Sequence, residues 1–149
     1  MKKDQVRRDI AVMLHEAFEL EHAARIQYLS HAQILRGPGS EAIVSRLEEI
    51  AQDELKHQCM FRELIGSYLG EIPSMGVSKT SLAKDLKSVL EINLRDEKEA
   101  IDLYKSIYSK AAENKAALPY CHEAIEHGLR HIIIDEQDHA VQLSQLFGI

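Results

Sequence analysis

Four long stretches of this chain each place a glutamate in the middle of an apolar helical stripe. Alternating steps of four and three residues pick out the stripes, and each stripe is apolar towards both ends. Steps of this kind mark the side of an α-helix that packs against partner helices, so four of them predict a helical bundle. The central glutamates are Glu21, Glu54, Glu97 and Glu136.

Glycine and proline mark the ends of the stretches. The first break is the Gly-Pro-Gly-Ser sequence at 37–40, where Ser40 is the expected N-cap of the second helix. Residues 70–80 form a longer break, and residues 114–119 form a third, with Pro119 expected in the first turn of the last helix. No sustained alternation of polar and apolar residues predicts a strand. The predicted helices are 4–35, 40–69, 81–113 and 119–146.

The length of 149 residues suits one domain, so residues 1–149 are expected to form a single all-α domain. Short breaks join the first helix to the second and the third to the fourth, which predicts antiparallel neighbours. The longer break predicts a long crossover between the second and third helices. The expected architecture is therefore an antiparallel four-helix bundle with one crossover.

Charge and hydropathy narrow the partners of such a bundle. The net charge of −6 argues against nucleic acid, which binds basic surfaces. No apolar run approaches the roughly 18 residues of a membrane span, and the apolar stretch 10–14 is too short for a signal peptide. Cys59 and Cys121 lack the spacing of a disulfide framework or a zinc ribbon. We therefore expect a cytoplasmic protein with reduced thiols and no membrane or nucleic-acid partner.

The two predicted hairpins bring the four glutamates to one level. Glu21 and Glu54 lie almost equally far from Pro38, and the midpoint between Glu97 and Glu136 falls in the third break. Four buried carboxylates are costly without compensation, and no Lys or Arg occupies the stripes. Two divalent cations would balance the four negative charges.

A repeated motif supplies nitrogen ligands at the same level. The sequence Asp-Glu-x-x-His occurs at 53–57 and again at 135–139. Glu and His three residues apart point the same way on a helix, so each motif offers two ligands. Single glutamates from two helices, with Glu-x-x-His from the other two, are the ligand pattern of di-iron and di-manganese carboxylate proteins, although ligand type alone also admits zinc and copper. The predicted metal ligands, which are also the predicted catalytic residues, are Glu21, Glu54, His57, Glu97, Glu136 and His139.

These motifs resemble those of the ferritin-like superfamily, and of bacterioferritin most closely, over nearly the whole chain. The resemblance implies a ferritin-like bundle that holds two iron or manganese ions, in which Glu54 and Glu136 bridge the metals. Each ion would take one further carboxylate and one imidazole, in the pairs Glu21 with His57 and Glu97 with His139. The matching stretches are 21–28, 53–57, 93–104 and 135–139.

The same resemblance implies partners around the ligands. Tyr28 and Tyr104 look like phenols that hydrogen-bond the terminal carboxylates, with plain core packing as the alternative. Asp53 and Asp135 look like residues that orient the histidines, a role that metal-bound histidine commonly requires. The alternative for the two aspartates is solvated surface.

The chain also departs from the families that it resembles. Leu55 stands where bacterioferritin has a haem-ligating methionine, so no haem is expected. The sequence ends ten residues after His139, too few for the fifth helix of cage-forming relatives, so a storage shell is not implied and a homo-oligomer of at least two chains is expected. Leu94 stands where rubrerythrin-like proteins carry a further glutamate.

Several residues outside this pattern carry weaker expectations. His31 lies on a stripe and is expected to be a hydrogen-bonded core residue, with an outer metal ligand as the alternative. Asn93 is expected to be a stripe residue with a local partner. Cys59 is expected to be buried rather than a redox-active thiol near the site, and Gly128 permits either close packing or a bend. The histidines expected at the surface are His15, His22, His122, His127 and His131.

Three functions of different classes are compatible with this reading. The leading one is a ferroxidase that oxidises Fe(II) with O2 or H2O2, for storage or detoxification of iron. The second is a small-oligomer, rubrerythrin-like peroxidase or oxidase with a di-iron or di-manganese centre. The third is a non-catalytic metal-binding bundle, because a fold does not dictate its chemistry. The complete ligand set favours the first.

Overall fold

Four long helices make up almost all of the computed structural model, which describes residues 2–148. A π-helical turn, Leu64–Tyr68, extends the second helix, and a short 3-10 helix, Lys115–Ala117, precedes the fourth. No strand occurs among the described residues, so the predicted all-α bundle is confirmed. The helices are α1 (Lys2–Ala32), α2 (Ser40–Glu63), α3 (Leu86–Glu113) and α4 (His122–Phe147).

The helices pack as two hairpins, α1 with α2 and α3 with α4, and the hairpins meet along the α1–α3 and α2–α4 contacts. The crossover from α2 to α3 has no regular structure between residues 70 and 84. It lies along α1, where Ser74 Oγ donates to Glu19 Oε2 over 2.6 Å and the Ser78 amide donates to the Glu19 carbonyl over 3.2 Å. Within residues 2–148, no helix has the length and hydropathy required to cross a membrane.

The two later helices begin several residues after their predicted starts. Residues 81–85 are not helical, because a capping box at Asp85 starts α3: Asp85 Oδ1 accepts from the Ser88 amide over 2.8 Å, and Ser88 Oγ accepts from the Asp85 amide over 3.1 Å. Pro119 is not in α4. It lies in a turn in which the Cys121 and His122 amides donate to the Leu118 carbonyl, so α4 begins at His122.

Glycine, rather than serine, shapes the break between α1 and α2. The helix begins at Ser40 itself, which makes no capping hydrogen bond. The residue that precedes it, Gly39, has a φ of 81°, a left-handed conformation that favours glycine. α1 ends three residues earlier than predicted, because the Gln33 and Ile34 amides donate to carbonyls three residues back in a tightened last turn.

Two apolar clusters fill the bundle, one on each side of its middle. One cluster contains Leu14, Phe61 and Ile125, and the other contains Leu47 and Leu143. The central glutamates of the four stripes lie between these clusters. The apolar ends of each stripe therefore supply the hydrophobic burial that stabilises the bundle, while the middle of each stripe is left for polar side chains.

Gly128 allows a close contact between α4 and α2. A Cβ atom at this position would lie 3.3 Å from Leu64 Cδ1, closer than ordinary van der Waals contact. Leu64 is the residue at which α2 changes to its π-helical turn. Of the two alternatives left open by the sequence, close packing is therefore the one observed.

Candidate metal centre

Six buried acidic and histidine side chains meet at the middle of the bundle. They form two groups of four, and within each group one ligand atom from every residue lies within 4.8 Å of the others. Glu54 and Glu136 belong to both groups. The first group adds Glu21 and His57, and the second adds Glu97 and His139. The six residues selected from the sequence are thus brought together, each with 3% or less of its surface exposed.

Both histidines present Nδ1 to the centre of the cluster. His57 Nδ1 lies 3.0 Å from Glu136 Oε1 and 3.5 Å from Glu21 Oε1. His139 Nδ1 lies 3.1 Å from Glu54 Oε1 and 3.5 Å from Glu97 Oε1. The two ring centroids are 6.2 Å apart. The cluster is therefore nearly symmetric, with one imidazole on each side of the shared carboxylates.

The innermost atoms of the cluster have no hydrogen-bond partner. The short approaches of His57 Nδ1 and His139 Nδ1 to carboxylates lack hydrogen-bond geometry. Buried polar atoms without partners are costly, and here six of them converge on one region, four of them carboxylate oxygens. Oxygen and imidazole nitrogen donors of this kind fit divalent transition-metal ions. The unpaired atoms are Glu21 Oε2, Glu54 Oε1, His57 Nδ1, Glu97 Oε2, Glu136 Oε1 and His139 Nδ1.

Aspartates hold the outer nitrogen of each histidine, and they do so across the bundle. His57 Nε2, on α2, lies 2.8 Å from Asp135 Oδ2 on α4. His139 Nε2, on α4, lies 2.9 Å from Asp53 Oδ2 on α2. Each Asp-Glu-x-x-His motif thus orients the histidine of the other. When the ring is neutral, an aspartate acceptor keeps the proton on Nε2 and leaves the Nδ1 lone pair facing the centre.

Two tyrosines make a matching exchange between α1 and α3. Tyr28, on α1, donates to Glu97 Oε1 over 2.6 Å, and Tyr104, on α3, donates to Glu21 Oε1 over 2.8 Å. Burial and the neighbouring carboxylates raise the pKa of both phenols, so they keep their protons and act as donors. Each terminal glutamate is therefore fixed on one oxygen, and its other oxygen is free to face the centre.

Comparison with known proteins identifies the family of the chain. The model of the ferritin-like domain matches residues 12–148, which is most of the chain. The chain belongs to the ferritin-like family. This ferritin-like chain is 27% identical to a bacterial ferritin from Synechocystis sp. over 146 residues, which cover 94% of this chain and 86% of that protein.

Solved structures share the fold of this ferritin-like chain. A ferritin-like, diiron-carboxylate protein from Bacillus anthracis superposes with a TM-score of 0.88 at 24% identity, over 96% of this chain and 98% of that one. The bacterioferritin of Rhodobacter capsulatus superposes with a TM-score of 0.80 at 19% identity, over 94% and 84% of the two chains. The ferritin-like fold predicted from the motifs is confirmed.

Burial and the charges of neighbouring side chains determine the protonation of the cluster. Burial and the carboxylate of Glu136 raise the pKa values of Glu54 and Glu97. Burial alone would raise the pKa of Glu136 too, but the adjacent imidazoles of His139 and His57 lower it. Burial acts to lower the histidine pKa values, yet the facing carboxylates raise both to about 11. Protons on the histidines and on Glu54 and Glu97 therefore offset part of the negative charge of the cluster.

We expect the metal-free ferritin-like chain to lose stability as the pH rises from about 6.5 to about 9. The histidine pKa values rise from 6.5 to about 11 on folding, so their contribution is complete below pH 6.5 and is lost towards pH 11. The raised pKa values of Glu54 and Glu97 act in the same direction, while the lowered pKa of Glu136 acts only in acid. Thermal unfolding in chelator should show Tm falling across this range. A flat or rising Tm would contradict the raised pKa values of the two histidines.

A cleft between α1 and α3 leads from the surface to the cluster. Its volume is about 360 Å³, and its inner end is formed by Glu54, Glu97 and Glu136 together with Tyr28 and Tyr104. Small side chains at positions 23, 24 and 100 leave room between the helices. The cleft is the route by which ions and small molecules can approach the cluster.

Several expectations outside the cluster are settled by the contacts. His31 is a hydrogen-bonded core residue, as predicted, and Asn93 donates to the Val89 carbonyl over 2.7 Å. Cys59 is exposed, not buried, because it lies on the outer face of α2, two residues beyond His57. His122 is buried rather than at the surface, because the turn before α4 packs it against the bundle.

Gln27 and Ser81, which both line the cleft, were not among the residues predicted from the sequence. Gln27 lies four residues before His31, on the same face of α1, and this spacing was the only signal available for it. Ser81 has no periodic neighbours, because it belongs to the irregular crossover. Neither residue could be assigned a contact before the path of the crossover was known.

Proposed function

We propose that this ferritin-like protein holds two iron ions in the cluster and oxidises Fe(II) with O2 or H2O2. The observation that carries the proposal is the overlap of the two four-residue groups, which share Glu54 and Glu136. Two shared carboxylates between two sets of terminal donors suit a pair of ions held close together. The proposed catalytic and metal-binding residues are Glu21, Glu54, His57, Glu97, Glu136 and His139.

The proposed division of ligands follows the two groups. Glu21 with His57 would serve one ion, and Glu97 with His139 the other. Four carboxylates and two neutral imidazoles carry four negative charges, which two divalent ions balance. This balance would allow the four glutamates to remain buried, since the ion pairs that they make within residues 2–148 are with histidines and not with Lys or Arg.

A pair of iron ions can supply two electrons to one oxidant molecule, and the surrounding side chains have their own tasks. Tyr28 and Tyr104 hold the terminal glutamates through their hydroxyls. Asp53 and Asp135 fix the histidine rings. The cleft on the α1–α3 side would admit Fe(II) and the oxidant, and the aspartate–histidine pairs lie on the α2–α4 side.

Replacing Asp135 by Asn should weaken metal binding without removing a ligand. The amide oxygen is a poorer acceptor for His57 Nε2, which Asp135 holds at 2.8 Å, and loss of such a partner typically costs about 10- to 100-fold in affinity. Competition titration with Co2+ measures the change. Asp138→Asn is the control, because Asp138 is exposed on the same helix. Equal affinity in both variants would show that Asp135 has no part in binding.

The native metal is tested by elemental analysis of protein purified from unsupplemented cells. Iron at about two ions per chain is the result expected from the ligand set. Manganese at this ratio would favour a peroxidase or oxidase of the rubrerythrin-like type. Stoichiometric zinc without iron or manganese would contradict the proposed oxidation chemistry and favour a non-catalytic metal-binding bundle.

We further propose that the chain forms a homo-oligomer of at least two copies in the cytoplasm. The crossover exposes large apolar side chains, among them Ile72, Met75 and Leu82 with 80%, 93% and 99% of their surface accessible. Clusters of exposed apolar side chains commonly mark interaction surfaces. Light scattering should give a mass of two or more chains; a monomer would contradict the proposal.

A further inference from the structure

The crossover is tied to both walls of the cleft at one residue, Ser81. On α1, Gln27 Oε1 accepts from the Ser81 amide over 2.7 Å, and His31 Nε2 donates to the Ser81 carbonyl over 2.7 Å. On α3, Arg95 Nη2 donates to Ser81 Oγ over 3.4 Å. The two strong bonds use the backbone of Ser81, and only the long contact uses its side chain.

These bonds belong to a closed ring of four residues. Gln27 Nε2 donates to Asn93 Oδ1 over 2.9 Å, and Asn93 Nδ2 donates to His31 Nδ1 over 3.0 Å. The ring then returns through Ser81 to Gln27. We call it the Gln27 ring; its members are Gln27, His31, Ser81 and Asn93.

Every side-chain amide and imidazole donor in the Gln27 ring has an acceptor, which fixes the orientation of these side chains. His31 must carry its proton on Nε2, because Nδ1 accepts from Asn93 and the Ser81 carbonyl can only accept. Gln27 makes one bond more, donating to Asp96 Oδ2 over 2.8 Å. Buried networks that are fully satisfied hold one geometry, and Gln27, Asn93 and His31 are all at least 95% buried.

The Gln27 ring lies beside the glutamate–histidine cluster. Gln27, Ser81 and Asn93 line the same cleft as Glu97 and Glu136. Gln27 precedes Tyr28 in the chain, and Asn93 lies one helical turn before Glu97. The ring therefore anchors the part of the crossover, at Ser81, that forms one wall of the cleft.

We propose that Gln27 is a positioning residue that holds the crossover across the cleft and so limits access to the cluster. Gln27 joins α1, the crossover and α3 through hydrogen bonds to three partner atoms, one each on Ser81, Asn93 and Asp96. Loss of these bonds leaves His31 as the only residue of the ring that holds Ser81 on α1, so the crossover loosens and the cleft opens towards Tyr28 and Tyr104. This proposal rests on the proposed function in one respect only: the cluster to which Gln27 limits access is taken to be the iron site.

The test compares Gln27→Met with Ser81→Ala in the full-length, metal-free chain. Methionine has the length of glutamine but makes none of its hydrogen bonds, whereas Ser81→Ala keeps both backbone bonds and loses only the long Arg95 contact. Each lost hydrogen bond is worth about a factor of five, so the Ser81 amide in Gln27→Met should exchange with deuterium at least about tenfold faster than in the wild type. In Ser81→Ala the rate should not change.

A second readout measures access directly. Hydroxyl-radical labelling of Tyr28 and Tyr104, normalised to the exposed Tyr120, should rise at least about twofold in Gln27→Met and stay at the wild-type level in Ser81→Ala. Faster exchange without increased tyrosine labelling would overturn the control of access, and unchanged exchange would overturn the anchoring role. If Gln27→Met does not fold, His31→Leu removes the other α1 bond to Ser81, and labelling of Tyr28 and Tyr104 should rise as in Gln27→Met; unchanged labelling would overturn the control of access. Because no metal is present, a failure of the proposed iron chemistry leaves both readouts intact.

Discussion

A Glu54→Ala/Glu136→Ala variant is expected to oxidise Fe(II) in air no faster than buffer alone. Both replaced residues belong to both ligand groups, so neither ion keeps more than one carboxylate and one imidazole. Loss of a hydrogen-bond partner of a metal ligand already lowers metal affinity or activity about 10- to 100-fold. Removal of both shared carboxylates should therefore lower the rate of Fe(II) oxidation at least about a hundredfold. The rate is measured optically after Fe(II) is added to metal-free protein.

The control for this variant removes the same charge elsewhere on the same helices. Glu48→Ala/Asp138→Ala takes one exposed carboxylate from α2 and one from α4, and it should oxidise Fe(II) at the wild-type rate. Equal activity of wild type and Glu54→Ala/Glu136→Ala would show that Fe(II) is oxidised elsewhere and that the cluster is not the reactive centre.

Removal of metal should destabilise the wild type and leave Glu54→Ala/Glu136→Ala unchanged. Binding to the folded chain alone stabilises it by about 3–4 kcal/mol when the free ion exceeds its dissociation constant by 100- to 1,000-fold. In a chain of this size such a change raises Tm by roughly 10 °C. Differential scanning calorimetry with chelator, and then with two equivalents of Mn2+, a redox-stable probe in air, measures the shift.

The metal-free variant should itself be less stable than metal-free wild type. In the wild type, His57 faces Glu136 at 3.0 Å and His139 faces Glu54 at 3.1 Å. Removing both carboxylates leaves the imidazoles without these partners and leaves space in the core, and both changes destabilise the fold. The test is therefore the change in Tm that Mn2+ produces in each protein. A variant that gains as much from Mn2+ as the wild type would contradict the account.

The cluster could be predicted from the sequence because all six of its residues lie on regular helices. Glu54 and His57 are one helical turn apart, and Glu21 and Glu54 are equally distant from the turn that joins α1 to α2. Helical periodicity sets the direction in which each side chain points, and the symmetry of the hairpin sets its height along the bundle. The cross-bundle pairing of Asp135 with His57 could not be assigned, because it depends on the rotation of α2 against α4.

Features without periodicity were not predictable in the same way. The crossover has no stripe or repeated spacing, so the contacts of Ser81 depend wholly on its path over α1. The start of α3 was placed too early because the local capping box of Asp85 competes with helical propensity over residues 81–85. Cys59 was misassigned because residue type outweighed its position on the outer face of the helix.

Anomalous X-ray scattering at the iron edge tests the central claim most directly. Crystals of the metal-free chain soaked anaerobically with Fe(II) should show two peaks, one among Glu21, Glu54, His57 and Glu136 and one among Glu54, Glu97, Glu136 and His139. A single peak outside these groups, or no peak in the cluster at saturating Fe(II), would contradict the proposal that the buried glutamates and histidines form a two-iron centre.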